Sequence, residues 1–432
     1  MKMANMDDYF DVVIVGTGAA GLYCALNLPA RYRILLLTKQ KADESDSFLA
    51  QGGTCMQHGE ADYRPFFDDT MRAGHYENNP ATVDLMIRSS NSIIRDLVRR
   101  GVRFARNDHG ALRFTREGAH SRPRILFHED ITGHEITQTL LNEVLRCENI
   151  ELREHTTLLD FFADASACGG VIAAGPDGEP RAIGAGAVVL ACGGIGGLYK
   201  NSTNFPHITG DAIAMALRHG VACEHLDYIQ IHPTTLYSHR KGRRFLISES
   251  VRGEGALLLD KNGNRFTNEL QPRDVVSAAI RAQMEKDGTD HVWEDMRPIG
   301  EAAIREHFPN ILERCEEEGY DPIHEPIPVV PAQHYFMGGI TADLSSRTAL
   351  PRLYACGETC CNGVHGRNRL ASNSLLESLV FAQRAADDIL YGEPPVFTGD
   401  KPDLAPYREQ EPLFAAYRQE VLTAIERSKN HE

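Results

Sequence analysis

The 432-residue sequence has no Cys-x-x-Cys pair among its 10 cysteines, no surplus of basic residues and no long run of bulky apolar ones. Each absence removes a class of protein. Without Cys-x-x-Cys there is no basis for a zinc ribbon, a ferredoxin-type iron–sulfur site or haem attachment through C-x-x-C-H, and no metal is expected. The 45 Lys and Arg against 60 Asp and Glu leave a net charge of −15, a field that disfavours nucleic acid and anionic membranes as partners. An acidic small molecule stays within reach, because a local cluster of Arg and His can override the global sign. The longest uncharged stretch, Ala182–Tyr199, touches the length of a membrane span, but 6 of its 18 residues are glycine. It reads as a buried strand entering a Gly-rich turn. No apolar h-region precedes the first strand-like run, so the expectation is a chain without a secretory signal, in the cytoplasm, with reduced thiols. The vicinal Cys360-Cys361 reads as two small packing residues beside a tight loop.

What is present is ordinary globular composition, 42% apolar and 24% charged, long enough for two or three domains and a sizeable core. The chain opens with Asp11-Val12-Val13-Ile14-Val15, a β-branched run suited to a strand buried on both faces. Gly16-Thr17-Gly18-Ala19-Ala20-Gly21 follows, then a helical spacing from Leu22 to Leu28 stopped by Pro29, then a second strand from Arg33 to Thr38. This β–Gly-turn–helix–β order is the opening of a doubly wound sheet. Helices are expected over 82–100 and 132–147, and short strands over 150–192 around Gly175-Pro176-Asp177-Gly178. From about 225 to 335 charges become denser and prolines recur, the texture of a second domain inserted into the first. A strand at Leu353–Cys356 and a helix from about Ser374 to Tyr391 resume the first domain. The expected fold is therefore α/β: a Rossmann-like nucleotide-binding domain over 1–224 and 336–395, an inserted α+β capping domain over 225–335, and a short polar tail, 396–432, read as a surface helix.

In G-x-G-x-x-G the first glycine makes the tight turn, the second lets backbone approach a pyrophosphate, and the third permits close helix–strand packing. Gly16, Thr17, Gly18, Ala19 and Gly21 are thus candidate cofactor-binding residues, with the helix N-terminus facing the anion. The second strand ends in Thr38-Lys39 instead of the acidic residue that holds a ribose, which weakens a plain NAD dehydrogenase. Lys39 could meet a phosphate, and Thr38 could stand in for the carboxylate. Three further loops bring backbone close to something: Ala50-Gln51-Gly52-Gly53, Ala191-Cys192-Gly193-Gly194, and Gly357-Glu358 with the later Ser372-Asn373-Ser374-Leu375. A second loop entering a helix near the C-terminus suits a cofactor with two ends, a nucleotide and a ring system. FAD fits that description and NAD alone does not.

With AQGG at 50–53, TREGAHS at 115–121, TGD at 209–211, HPT at 232–234, SESVRGEGA at 248–256, PRDVV at 272–276, HYFMGGI at 334–340 and GRNRLASNSLLE at 366–377, the chain resembles the flavoproteins of the succinate dehydrogenase and fumarate reductase superfamily. Within it, the chain looks most like the L-aspartate oxidase family, in a form lacking that family's C-terminal helical domain. The resemblance implies FAD-dependent oxidation of L-aspartate to iminoaspartate, with oxygen or fumarate as acceptor, as the first step of de novo NAD biosynthesis, and a product passed to quinolinate synthase. A soluble fumarate reductase is the alternative. Family members in respiratory complexes attach FAD through a His four residues before AQGG. Here that position is Asp46, so FAD should be non-covalent, with Asp46, Ser47, Asp211 and Glu358 among its contacts. Glu117 would face the substrate ammonium and separate an amino dicarboxylate from a plain one. His232, Ser248, His334 and Arg369 correspond to substrate-holding positions, Arg suiting carboxylate through its planar fork. Arg273 matches the family's proton donor and acceptor, with Glu249 and Arg252 resupplying it, and the inserted domain would close over the flavin as a lid.

Overall fold

The computed structural model describes residues 8–239, 242–392 and 396–430. Strand β1 (Tyr9–Val15) pairs in parallel with β2 (Ile34–Leu37) on one side and with the strand Pro180–Leu190 on the other, and helix α1 (Ala19–Asn27) crosses between β1 and β2. Ile150–Arg153 extends the sheet beyond β2, and Leu353–Ala355 joins the end of Pro180–Leu190. All five strands run parallel and point their C-terminal ends the same way. Two antiparallel strands complete the seven, Cys168–Ala174 pairing with the first half of Pro180–Leu190 and Thr157–Ala163 pairing with Cys168–Ala174 at the edge.

Both faces of the central strands are covered, which is why Val12–Val15 and Ile34–Leu37 are uninterrupted apolar runs. Val12, Ile14, Ile34 and Leu36 pack with α1 and the helices Pro80–Arg100, Thr132–Val144 and Asn373–Tyr391. Val13, Val15, Leu35 and Leu37 pack on the opposite side with helix Asp211–Arg218. Helix Pro80–Arg100 starts two residues before the apolar spacing suggests, because Pro80 sits at the first helical position and Asn79 caps the Ala81 N–H at 3.0 Å. The tail departs further from its polar appearance. Its helix, Gln410–Lys429, buries Tyr417, Val421 and Ile425, an i, i+4, i+8 stripe, in the same core as Asp211–Arg218. A stripe of three residues in twenty is diluted below what composition reveals.

Between Ile229 and Phe336 the chain builds a separate four-stranded antiparallel sheet, ordered Ile229–Leu236, Ile327–Phe336, Val292–Asp295, Leu257–Leu259. Its core, with Ile247, Val276, Ile280, Ile304 and Ile311, is distinct from the two cores of the larger sheet. The pairing of Ile229–Leu236 with Ile327–Phe336 slips at two places, between Gln230 and Ile231 and between His232 and Thr235. Bulges of this kind re-aim side chains, and these two sit where the chain meets the cavity described below. No helix among the described residues is long and apolar enough to cross a membrane.

Candidate active site

The C-terminal ends of the parallel strands open into one continuous cavity of about 1690 Å³, counting the space at its mouth. In open α/β sheets this crevice is where ligands bind. At one end, Gly16 has φ +114°, and a Cβ there would lie 2.0 Å from the Ala191 carbonyl oxygen, while a Cβ on Gly21 would lie 1.9 Å from the Gly16 carbonyl oxygen. Side chains are excluded at both positions, and the backbone of the turn faces the cavity. Gly18 offers no side-chain cap to α1, and the Ser47 hydroxyl instead accepts the Ala19 N–H at 3.0 Å. Lys39 lies beside this end, but Asp211 holds it at 2.7 Å over the ring of Phe414. Lys39 lines the cavity with Asp211 as its partner.

At the other end charged side chains converge. Arg273, at the start of helix Arg273–Asp287, donates Nε to Glu249 at 2.5 Å and Nη1 to the Gln230 amide oxygen at 2.8 Å. Arg369 donates Nη1 to Ser374 at 2.9 Å and stacks over Tyr335. His232 and His334, on the two bulged strands, stand edge to face with ring centroids 5.1 Å apart. His334 Nδ1 bonds to the Thr203 hydroxyl at 2.7 Å. Ser248 caps helix Glu249–Gly253 by accepting the Ser250 N–H at 3.2 Å and also lines the cavity. Glu117 is 2% exposed, accepts hydroxyl bonds from Ser372 at 2.6 Å and Ser250 at 2.7 Å, and leaves no room for a Cβ on Gly52.

The electrostatics follow from packing this many ionisable groups out of water. Burial drives the pKa of both His232 and His334 well below the ordinary value, and Arg273 pushes each further in that direction, so both are neutral. Burial and the proximity of Arg273 bring Arg369 down to about 10. Glu249 is also buried, which alone would raise it, but Arg273 and Arg252 outweigh that and hold it below the usual carboxylate range. Glu117 moves the other way, raised by burial and by the neighbouring Glu249 charge. Two carboxylates near one another thus diverge, one fixed as an anion and one ready to be stabilised by a cation. Among the described residues, no cluster of His, Cys, Asp and Glu could hold a metal.

The structure brings most of the sequence-derived site residues to this one cavity: Gly16, Thr17, Gly18, Thr38, Lys39, Asp46, Ser47, Ala50, Gln51, Gly52, Gly53, Asp211, Glu358, Ser372, Ser374 and Leu375, with Glu117, His232, Ser248, Glu249, Arg273, His334 and Arg369. Four do not line it. Ala19 contributes only backbone, Gly21 serves helix–strand packing, Asn373 is buried with its amide on Thr70, and Arg252 stands behind Glu249. The sequence reading missed Gln230 and Ser250. Gln230 is two residues before His232 on a strand, so period-2 alternation puts the two on one face, and that signal was available.

The residues suit FAD. Gly16 and Gly21 exclude Cβ atoms, and Ser45 Oγ, Asp46 Oδ2, Gln51 Oε1, His232 Nε2 and Arg369 Nε are buried on cavity-lining residues with no hydrogen-bond partner in the protein. Buried polar atoms are paired in native proteins, so these are the groups a polar ligand would satisfy. Comparison with known proteins agrees. The FAD binding domain family matches residues 11–375. L-aspartate oxidase of Clostridium perfringens is 47% identical over 380 residues, 88% of this chain and 86% of that protein. The Nostoc enzyme of the same name is 44% identical over 98% of this chain and 76% of its own length. Among solved structures, a quinol-fumarate reductase with bound menaquinol superposes with a TM-score of 0.84 at 32% identity, covering 95% of this chain and 75% of that one.

Proposed function

The chain belongs to the L-aspartate oxidase family of FAD-binding flavoproteins, and from that premise we propose how its residues divide the oxidation of L-aspartate to iminoaspartate. FAD, held by the glycine turn and by polar groups such as those of Asp46 and Gln51, would supply the hydride acceptor for Cα, and fumarate, yielding succinate, or oxygen, yielding hydrogen peroxide, would reoxidise it. Asp46 stands where an attaching imidazole would be needed, so the cofactor is held without a covalent bond.

Arg369, neutral His232 and His334, and the Ser248 hydroxyl hold the two carboxylates of the substrate. Neutral imidazoles donate one hydrogen bond each without adding charge to a site that already holds two arginines. Glu117 faces the ammonium, whose arrival lowers the carboxyl's proton affinity and favours the anion. As Cα gives up its hydride the amine loses a proton, and when fumarate is the acceptor Arg273 supplies the proton that its second olefinic carbon gains. A guanidinium is a poor base by itself, but its 2.5 Å bond to Glu249, with Arg252 3.7 Å away, lets the proton be shared along the chain instead of leaving a free neutral guanidine. The unit built from 225–335 acts as the lid that excludes water while the imine forms.

The observation that carries this reading is Glu117: a carboxylate buried beside the guanidinium cluster repels a plain dicarboxylate and pairs with an amino one. The fumarate reductase reading is not favoured, since the L-aspartate oxidases named above share more of the sequence than the reductase does. All ten cysteines are free thiols, which supports a reducing cytoplasm. Imines hydrolyse in water, which supports direct hand-off of the product to quinolinate synthase. The test is to mix FAD-reconstituted protein anaerobically with L-aspartate and, separately, succinate. Bleaching of the flavin by aspartate alone, reversed by fumarate or air, is the expected result. Bleaching by succinate but not aspartate overturns it.

A further inference from the structure

Arg252 is 1% exposed. Its Nη1 donates to the Glu269 carbonyl at 2.6 Å, while Nε and Nη2 have no hydrogen-bond partner in the protein. Two acids lie beyond it, and they differ. The Glu269 carboxylate accepts the Leu258 N–H at 2.9 Å and a bond from Arg265 at 2.6 Å, and the Arg265 side chain is 53% exposed. Glu269 is a satisfied ion pair leading to the surface. Glu294 stands across the strand ladder from the same Leu258, is completely buried, and neither of its carboxyl oxygens has a partner. A bare carboxylate there would be costly, so the group holds a proton. Burial raises it to about 8, with Arg252 pulling it down and Glu269 pushing it up. The third titratable neighbour is Cys315, on helix Pro309–Glu317, itself raised chiefly by burial.

A purely structural account of Glu294 is poor, because an apolar residue would serve this core better. We propose that Glu294 stores the proton that Arg252, Glu249 and Arg273 deliver to fumarate, an internal water linking its carboxyl to the free N–H groups of Arg252. The proposal rests on the functional reading above, with fumarate as acceptor. Fumarate gains one hydride equivalent, originating from L-aspartate, at one olefinic carbon and one proton, from Arg273, at the other. Arg252 passes a proton through the Glu249 carboxylate to Arg273, and Glu294 reprotonates Arg252 through the water. The Glu294 carboxylate then recovers a proton from solvent, so that two electrons and two protons convert fumarate to succinate. Reduction of oxygen forms no C–H bond in this cavity and draws nothing from the store.

The test is Glu294→Gln in the full chain loaded with FAD, which keeps size and polarity and removes the acid. The ratio of fumarate-dependent to oxygen-dependent turnover is expected to fall about tenfold, with the KM for fumarate unchanged within about twofold. The parent's loss of fumarate turnover as pH rises through about 8 should vanish in the variant. Independently of activity, infrared spectra of the flavin-free protein at neutral pH should lose one protonated-carboxyl band on substitution. An unchanged acceptor ratio and pH profile, or an equal loss with both acceptors, overturns the proposal. If aspartate fails to bleach the parent, the functional reading falls on its own, and fumarate reoxidation of chemically reduced parent and variant still decides the role of Glu294.

Discussion

The two ends of the cavity are built from different materials. At the glycine-turn end the cavity wall is largely backbone, and the sequence is constrained by what must be absent, a Cβ at Gly16 and at Gly21. At the other end it is side chains, and the constraint is what must be present and mutually compensated: two arginines, two histidines and two carboxylates crowded against one another. The first end tolerates chemistry and rejects volume, and the second does the reverse. A cofactor that is kept can be gripped by geometry alone, whereas a substrate that must change charge needs titratable partners.

The comparison breaks most sharply at Arg273. Arg273→Lys keeps a cation but loses the fork to Glu249 and Gln230, and kcat should fall about a thousandfold while flavin content holds. Steady-state rates and the flavin spectrum of one preparation check both halves. The mirror experiment is Gly16→Val, which adds volume and no charge. Overpacking on a positive φ should weaken FAD binding about a hundredfold, read by fluorescence titration of the flavin-free protein. Third, Glu117→Gln should lower kcat/KM for aspartate about thirtyfold, the loss expected when one partner of a buried charge pair is removed, while the inhibition constant for succinate improves. The smallest effect concerns stability. Asp46 and Glu377, raised to about 7 chiefly by burial, bind protons in the folded flavin-free protein that the unfolded chain has already released, as does Glu294, raised to about 8. Above about pH 7.5, where the depressed histidines have lost their protons in the folded and unfolded states alike, stability should therefore fall as pH rises towards about 8.5. Melting curves should show a decline on the order of 2 °C.

That contrast also explains what could be read in the sequence. The nucleotide end was legible, because a glycine motif between a strand and a helix has one steric meaning. At the substrate end Glu117, Arg273 and Arg369 came from motif resemblance, and nothing in their spacing brings residues 117, 249, 273 and 369 together. Glu294 was invisible: one acid in Val-Trp-Glu-Asp looks like ordinary strand alternation until its burial is known. The partner of Lys39 was hidden for a related reason, Asp211 lying 172 residues away. The terminal helix was underread because three buried residues in twenty do not alter its polar composition.

The order of strands in the large sheet has a consequence for how the protein is made. β1 leaves the ribosome early, but its neighbour Pro180–Leu190 follows only after some 165 residues, and Leu353–Ala355 long after that. The crevice has no far wall until Ser372–Leu375 has emerged, by which time the whole 229–336 sheet has been synthesised and must be clear of the closing gap. Completion of the cavity that would take flavin is therefore a late event in biogenesis, and a nascent chain stalled before residue 373 lacks helix Asn373–Tyr391 from the face that carries Val12, Ile14, Ile34 and Leu36.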